Sequence, residues 1–197
     1  MAGSSCQRVL GASLFSLLLL SGGACGGRQP EAAPAPPEPP YTPTATIKDI
    51  MDSMVDPSAD VVWEAVAAVV DAKGTHEMTP KTDEEWANVR RGAIRVLEGA
   101  NLLMMPGRHV ARPHEKSDTP GVELEPEAIE VNINNDRVKW NQLAKGLHTA
   151  ASQALRAIEA KDAPAVTDAG ERMDQACENC HSTYWYPNQP LPPGYLR

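Results

Sequence analysis

The sequence predicts an all-α protein whose folded part is an antiparallel four-helix bundle. From Thr46 onward the apolar residues recur every three or four positions, which is the spacing of one face of an α-helix. No segment shows a convincing alternation of apolar and polar residues, the pattern typical of a half-buried strand. Amphipathic segments joined by short or moderate loops favour a bundle of antiparallel neighbours.

The first helical segment is predicted in two pieces, separated at Asp56-Pro57. Asp56 can cap a new helix, and proline is favoured at the first helical position. The second piece is expected to continue to Lys73-Gly74, which is a C-terminal stop signal. The predicted apolar faces of the two pieces consist of Ile47, Ile50, Met51 and Met54, and of Val61, Ala65, Ala68 and Val69.

Three further helices follow. The second begins with a capping box at Thr82 and ends before Pro106-Gly107. The third is expected to start near Pro126 and to have irregular first turns, since three asparagines occur there. Asp162 would cap the fourth. The loop between the second and third helices, up to about Glu125, is long enough to be functional or mobile.

The N-terminal residues are predicted to be a signal for export. In residues 1–24 a positive charge at Arg8 precedes a mostly apolar run, Val9–Leu20, and a group of small residues. As a helix this run would rise only ~18 Å, too little for a hydrocarbon core ~30 Å thick. We therefore expect a periplasmic protein.

Cys25 lies where the signal would be cleaved, and it is a candidate lipidation site, as in bacterial lipoproteins. Residues 25–45 are predicted to form a proline-rich tether, because half of the residues from Pro30 to Pro43 are proline. The alternative is an ordinary signal peptide with a spare cysteine and a disordered arm. Residues 46–197 would form the folded domain and its proline-rich tail.

The charge balance excludes one class of partner. The chain has 18 Lys and Arg against 26 Asp and Glu, a net charge of −8. Nucleic-acid binding needs a basic surface, so we expect no nucleic-acid partner. The acidic runs could instead steer a basic redox partner. No nucleophile elbow, phosphate loop or zinc-protease motif is present, which favours a protein that is not an enzyme.

The most specific motif is C-x-x-C-H at Cys177–His181, near the end of the fourth helix. The motif is typical of covalent attachment of one haem c. Cys177 and Cys180 are about one turn apart, so both thiols can reach one porphyrin edge and form thioethers with its vinyl groups. His181 can then bind the iron as the proximal axial ligand. A thioredoxin-like dithiol and half of a zinc site are the alternatives.

With an export signal and a C-terminal C-x-x-C-H motif on a four-helix bundle, the chain resembles the class II c-type cytochromes, the cytochrome c′-like family and its low-spin relatives. The resemblance covers residues 46 to about 186. It implies a haem inside the bundle, covered on its distal side by the first helix. The sequence departs from the family pattern at Lys48, where arginine is frequent, and at Ser182, where a basic residue often follows the haem histidine.

The sixth iron ligand is predicted from bundle geometry. The end of the fourth helix meets the start of the first helix and the end of the second, and these ends carry Met51 and Met54, and Met104 and Met105. Met51 is the first candidate for distal axial ligand and Met54 the second, although methionine also fills gaps in cores. A bis-histidine iron is the competing possibility; the other histidines of the folded part are His76, His109, His114 and His148.

Three functions follow from this site. A methionine-ligated iron predicts a periplasmic electron-transfer protein whose redox partner is unknown. An open distal site predicts a five-coordinate binder of small gases such as NO or CO. A haem enzyme such as a peroxidase would need a polar distal acid or base, and the sequence offers no candidate. The family resemblance also implies a possible homodimer.

Overall fold

The structure is a computed structural model that describes residues 40–190, except for the side chain of residue 69. The predicted signal peptide, Cys25, most of the tether and the last seven residues lie outside this part of the chain. The described part is mostly helical, with one small sheet, and is compatible with the predicted all-α class. No helix within it has the length and apolar character needed to cross a bilayer.

The first helical segment is continuous, and a π-helical turn replaces the predicted interruption. Its parts are α1, Ile47–Ile50, the π-helical segment Met51–Val55 and α2, Asp56–Glu64. Pro57 has no N–H to donate to the carbonyl four residues earlier, and its ring crowds that carbonyl. The wider π turn accommodates it: the Asp56 N–H bonds to the Met51 carbonyl, five residues back. Asp56 therefore lies inside the helix, and its predicted role as N-cap is wrong.

The prediction that this helix continues to Lys73 is also wrong. After α2 ends, the chain forms an antiparallel hairpin of β1, Ala68–Asp71, and β2, Gly74–Glu77. Gly74 has φ +127°, a conformation that side chains rarely allow, and it lies at the turn of the hairpin. Ala68 is exposed and Val70 is 76% exposed, so neither of these two residues of β1 belongs to the core.

The remaining helices are α3, Asp83–Leu103; α4, Pro126–Asn135; α5, Arg137–Glu159; and α6, Ala163–Tyr184. The capping box at Thr82 and the cap at Asp162 are confirmed. The predicted third helix is divided between α4 and α5 at Asp136, whose φ of −134° is not helical. The Asp136 side chain accepts a hydrogen bond from the Lys139 N–H and caps α5.

The core lies where α5 packs against α3 and α6, and where α2 packs against α3 and α6. Its largest fully buried side chains include Trp140, Val62, Val96, Ile158 and Met173. The Trp63 Nε1–H donates to the Gly170 carbonyl at 3.0 Å and joins α2 to α6. The Trp140 Nε1–H donates to the Leu103 carbonyl at 2.8 Å and joins α5 to α3.

The long loop between α3 and α4 is bonded to the elements around it. The N–H groups of Ile47 and Lys48, at the start of α1, donate to the carbonyls of His109 and Val110, each at 2.9 Å. At the other end of the loop, the Leu124 N–H donates to the Trp185 carbonyl at 2.7 Å. The loop therefore connects the start of α1 with the residues that follow α6.

Candidate functional site

The C-x-x-C-H residues lie in the last two turns of α6 and face the other helices. Cys177, Cys180 and His181 together line a narrow apolar cavity of about 30 Å³. The opposite walls come from α1, the π-helical segment, α3 and α5, and they include Ile47, Met51, Leu103, Trp140, Leu143 and Leu147. Cys177 and Cys180 are free thiols. The helix thus brings both thiols and the imidazole to one apolar space.

Burial determines the protonation state of the two thiols. It raises the pKa of Cys177 to about 12, with a smaller contribution from Asp56 and Asp174, and it raises the pKa of Cys180 to about 12. Both sulfurs are therefore neutral S–H groups at physiological pH. A redox-active dithiol needs a thiolate with a lowered pKa, so these values weigh against the thioredoxin-like alternative.

His181 is desolvated by its neighbours, and this lowers its pKa, while the Asp56 and Glu178 carboxylates act in the opposite direction. A neutral imidazole keeps the nitrogen lone pair that a metal ligand needs. The ring contacts Trp185, with centroids 5.7 Å apart, and Tyr186, with centroids 6.3 Å apart. The two aromatic residues that follow α6 therefore enclose the imidazole.

A second cavity of about 200 Å³, lined by both charged and apolar side chains, adjoins the first, and Met51, His181 and Trp185 line both. Its charged lining residues are Lys48, Asp52, Asp56, Lys116, Asp118 and Glu123. Lys48 Nζ lies 2.6 Å from Asp118 Oδ2. Desolvation raises the pKa of the Asp56 carboxyl. Lys116, Asp118 and Glu123 belong to the long loop, where no helical periodicity could have related them to the site.

The structure separates the two candidate methionines. Met51 lines both cavities beside His181. Met54 lines neither; its Sδ lies 3.7 Å from the position that a Cβ atom would take at Gly99 of α3. Both residues belong to the π-helical segment Met51–Val55, whose wider turn changes the angle between them relative to a regular α-helix.

The other candidate ligands lie elsewhere within residues 40–190. His76 is in the hairpin, 3.1 Å from Asp71, and His109 bonds to Glu130 at 3.0 Å. None of His76, His109, His114, His148, Met104 and Met105 lines either cavity. Arg108 bonds to the Met105 Sδ at 3.6 Å. No three His, Cys, Asp or Glu side chains of the described chain converge in a way that could hold a metal ion.

Comparisons of the chain with protein-family models, with curated proteins and with solved structures found no match.

Proposed function

We propose that the chain is a periplasmic c-type cytochrome that carries one covalently bound haem and transfers electrons. The supporting observation is that Cys177, Cys180 and His181 line one apolar cavity at the end of α6, with Met51 lining the same cavity. Two thiols, an imidazole and a thioether are a donor set suited to haem c. When bound, the haem iron supplies a one-electron redox couple.

Each residue has a definite task in this proposal. Cys177 and Cys180 would hold the haem by thioether bonds: each thiol would add across one vinyl double bond, with the sulfur bonding one carbon and the hydrogen going to the other, so that no net oxidation occurs. His181 would bind the iron as a neutral imidazole. Met51 is the proposed distal ligand, since a thioether favours the reduced iron and excludes small ligands.

The surroundings of the site would complete the binding of the cofactor. The apolar side chains of α3 and α5 would exclude water from the macrocycle. Lys48 and Lys116 line the larger cavity and would be the lysines available to the propionates, with Lys48 leaving Asp118 to reach them. The apolar cavity is smaller than a haem, so loading requires that side chains from the first helical segment and α5 move away from α6. We propose that the packed helices form the antiparallel four-helix bundle of the class II cytochromes.

The location and partner form part of the same proposal. Residues 1–24 would direct export, and Cys25 would anchor the tether to a membrane by lipid. The net charge of −8 suits a basic protein as redox partner. A homodimer remains a prediction.

The full chain with its signal, produced in a host that matures c-type cytochromes, tests the proposal. We expect haem that stays bound to the denatured chain and a low-spin spectrum, oxidised and reduced, that carbon monoxide does not change. A double variant, Cys177→Ser with Cys180→Ser, is the control and should carry no covalent haem.

Two other results have clear meanings. A high-spin spectrum that shifts with carbon monoxide would replace electron transfer by the gas-binding function and would remove Met51 as ligand. A wild-type chain that is exported and folded but carries no covalent haem would refute both functions.

A further inference from the structure

The residues that follow α6 fold back on His181. The N–H groups of Trp185 and Tyr186 both donate to the His181 carbonyl, at 2.8 and 3.1 Å. The Trp185 carbonyl accepts a hydrogen bond from the Leu124 N–H, and the Trp185 ring stacks on Trp140 with ring centroids 6.4 Å apart. The position of the two rings beside the imidazole is therefore set by backbone bonds and by packing against α5.

Tyr186 is also bonded to a residue inside the C-x-x-C-H motif. Its hydroxyl donates to Glu178 Oε2 at 2.7 Å. Desolvation and this hydrogen bond raise the pKa of Tyr186, so the phenol stays a donor. The Tyr186 ring therefore contacts His181, and its hydroxyl bonds to Glu178, which lies about one turn before His181 on α6.

The second oxygen of Glu178 is unusual. Oε1 is buried and has no hydrogen-bond partner within residues 40–190. A buried acceptor without a partner is costly, and such groups are expected to have a functional or structural cause. Glu178 is three residues from His181, so the two side chains leave the same side of α6. A carboxylate with one buried oxygen, close to an iron bound by His181, would favour the more positively charged ferric state.

We propose that Glu178 and Tyr186 are positioning residues for His181. The Tyr186–Glu178 hydrogen bond fixes the ring that packs on the imidazole, and the Glu178 carboxylate lowers the reduction potential of iron bound to His181. This inference rests on the proposed function. It concerns residues outside the two thiols and the axial ligands.

Four variants of the haem-loaded full chain test the inference. Glu178→Gln removes the charge of the part-buried carboxylate, and we expect a shift of the potential to more positive values. Its control is Glu171→Gln, an exposed carboxylate on the same helix, whose effect solvent should screen. Tyr186→Phe removes the hydroxyl but keeps the ring, and we expect altered electron paramagnetic resonance g values, which report the axial imidazole. Its control is Tyr184→Phe, whose hydroxyl bonds to the Asp136 carbonyl at 3.2 Å.

Several outcomes would overturn the inference. Equal potential shifts in Glu178→Gln and Glu171→Gln would remove the role of the Glu178 charge. Unchanged g values in Tyr186→Phe, or equal changes in Tyr184→Phe, would remove the role of the hydrogen bond. If Glu178→Gln does not fold, Tyr186→Phe alone tests the inference. This variant removes only one oxygen atom, so we expect it to fold. Haem content is measured first: a wild-type chain without haem refutes the proposed function, whereas loaded variants without these shifts refute only the inference.

Discussion

Of the two glycines of α3, Gly99 has the closer approach of the first helical segment, and Gly99→Ala tests that contact. A Cβ atom at Gly99 would lie 2.6 Å from Val55 Cγ2, well inside the usual carbon–carbon distance of about 3.5–4.0 Å. Val55 is fully buried in the π-helical segment that also carries Met51. The added methyl group therefore meets a side chain with little room to move.

Two opposing terms set the size of the effect. Alanine is favoured over glycine inside a helix by about 1 kcal/mol. Forcing a methyl group into a packed core costs about 1–3 kcal/mol, and the 2.6 Å contact puts Gly99 at the upper end of that range. We expect a net loss of about 1–2 kcal/mol in the free energy of unfolding. With a urea slope of about 2 kcal/mol/M, the midpoint should fall by about 0.5–1 M.

Gly146→Ala is the matched control, because it makes the same change inside α5 where a new Cβ has no neighbour within 4 Å. We expect it to raise the free energy of unfolding by about 0.5–1 kcal/mol. The assay is urea unfolding of the full chain, followed by far-ultraviolet circular dichroism. If both variants stabilised the protein equally, the close contact between α3 and the π-helical segment would be refuted.

The site and the core give four further predictions. Met51→Leu should convert the low-spin iron to a high-spin form that binds carbon monoxide, while Met54→Leu should not; an unchanged spin state in Met51→Leu would exclude this residue as ligand. In the folded, haem-free chain the thiols of Cys177 and Cys180 should react with iodoacetamide at pH 8 about a thousandfold more slowly than in urea, because burial raises their pKa from 9.0 to about 12. Since the pKa of both thiols is raised in the folded, haem-free protein, they stabilise the folded state below about pH 9, and this contribution is lost as the pH rises toward 12. Equal alkylation rates in the folded and the urea-unfolded chain would contradict both expectations. Trp63→Phe should cost about 1 kcal/mol by removing the bond to the Gly170 carbonyl, and thermal unfolding measures that loss.

The helices themselves were largely predictable, because the signals that start them are local. Thr82 and its capping box, and the Asp162 cap, act within four residues of the chain. The hairpin was not predictable in this way. A short apolar segment such as residues 68–71 suits a helix or a strand, and no nearby residue decides between them. The division at Asp136 was signalled only weakly, by three asparagines.

The spacing of Cys177, Cys180 and His181 on a helix was also readable, since three residues span nearly one turn. The sequence does not indicate which of Met51 and Met54 lies beside His181. Both fall on one predicted face, and only the π turn caused by Pro57, together with the close approach of Gly99, puts Met51 beside His181 and Met54 against α3.

Local signals along the chain specify the mostly helical structure, and the motif spacing places two thiols and an imidazole on one side of the last helix. Periodicity, caps and motif spacing depend on a few neighbouring residues, so they can be predicted from the sequence. The bonds of the long loop to α1 and to Trp185, and the hydrogen bond from Tyr186 to Glu178, arise only when the chain is folded. These contacts depend on how distant segments pack, and no local pattern encodes that arrangement.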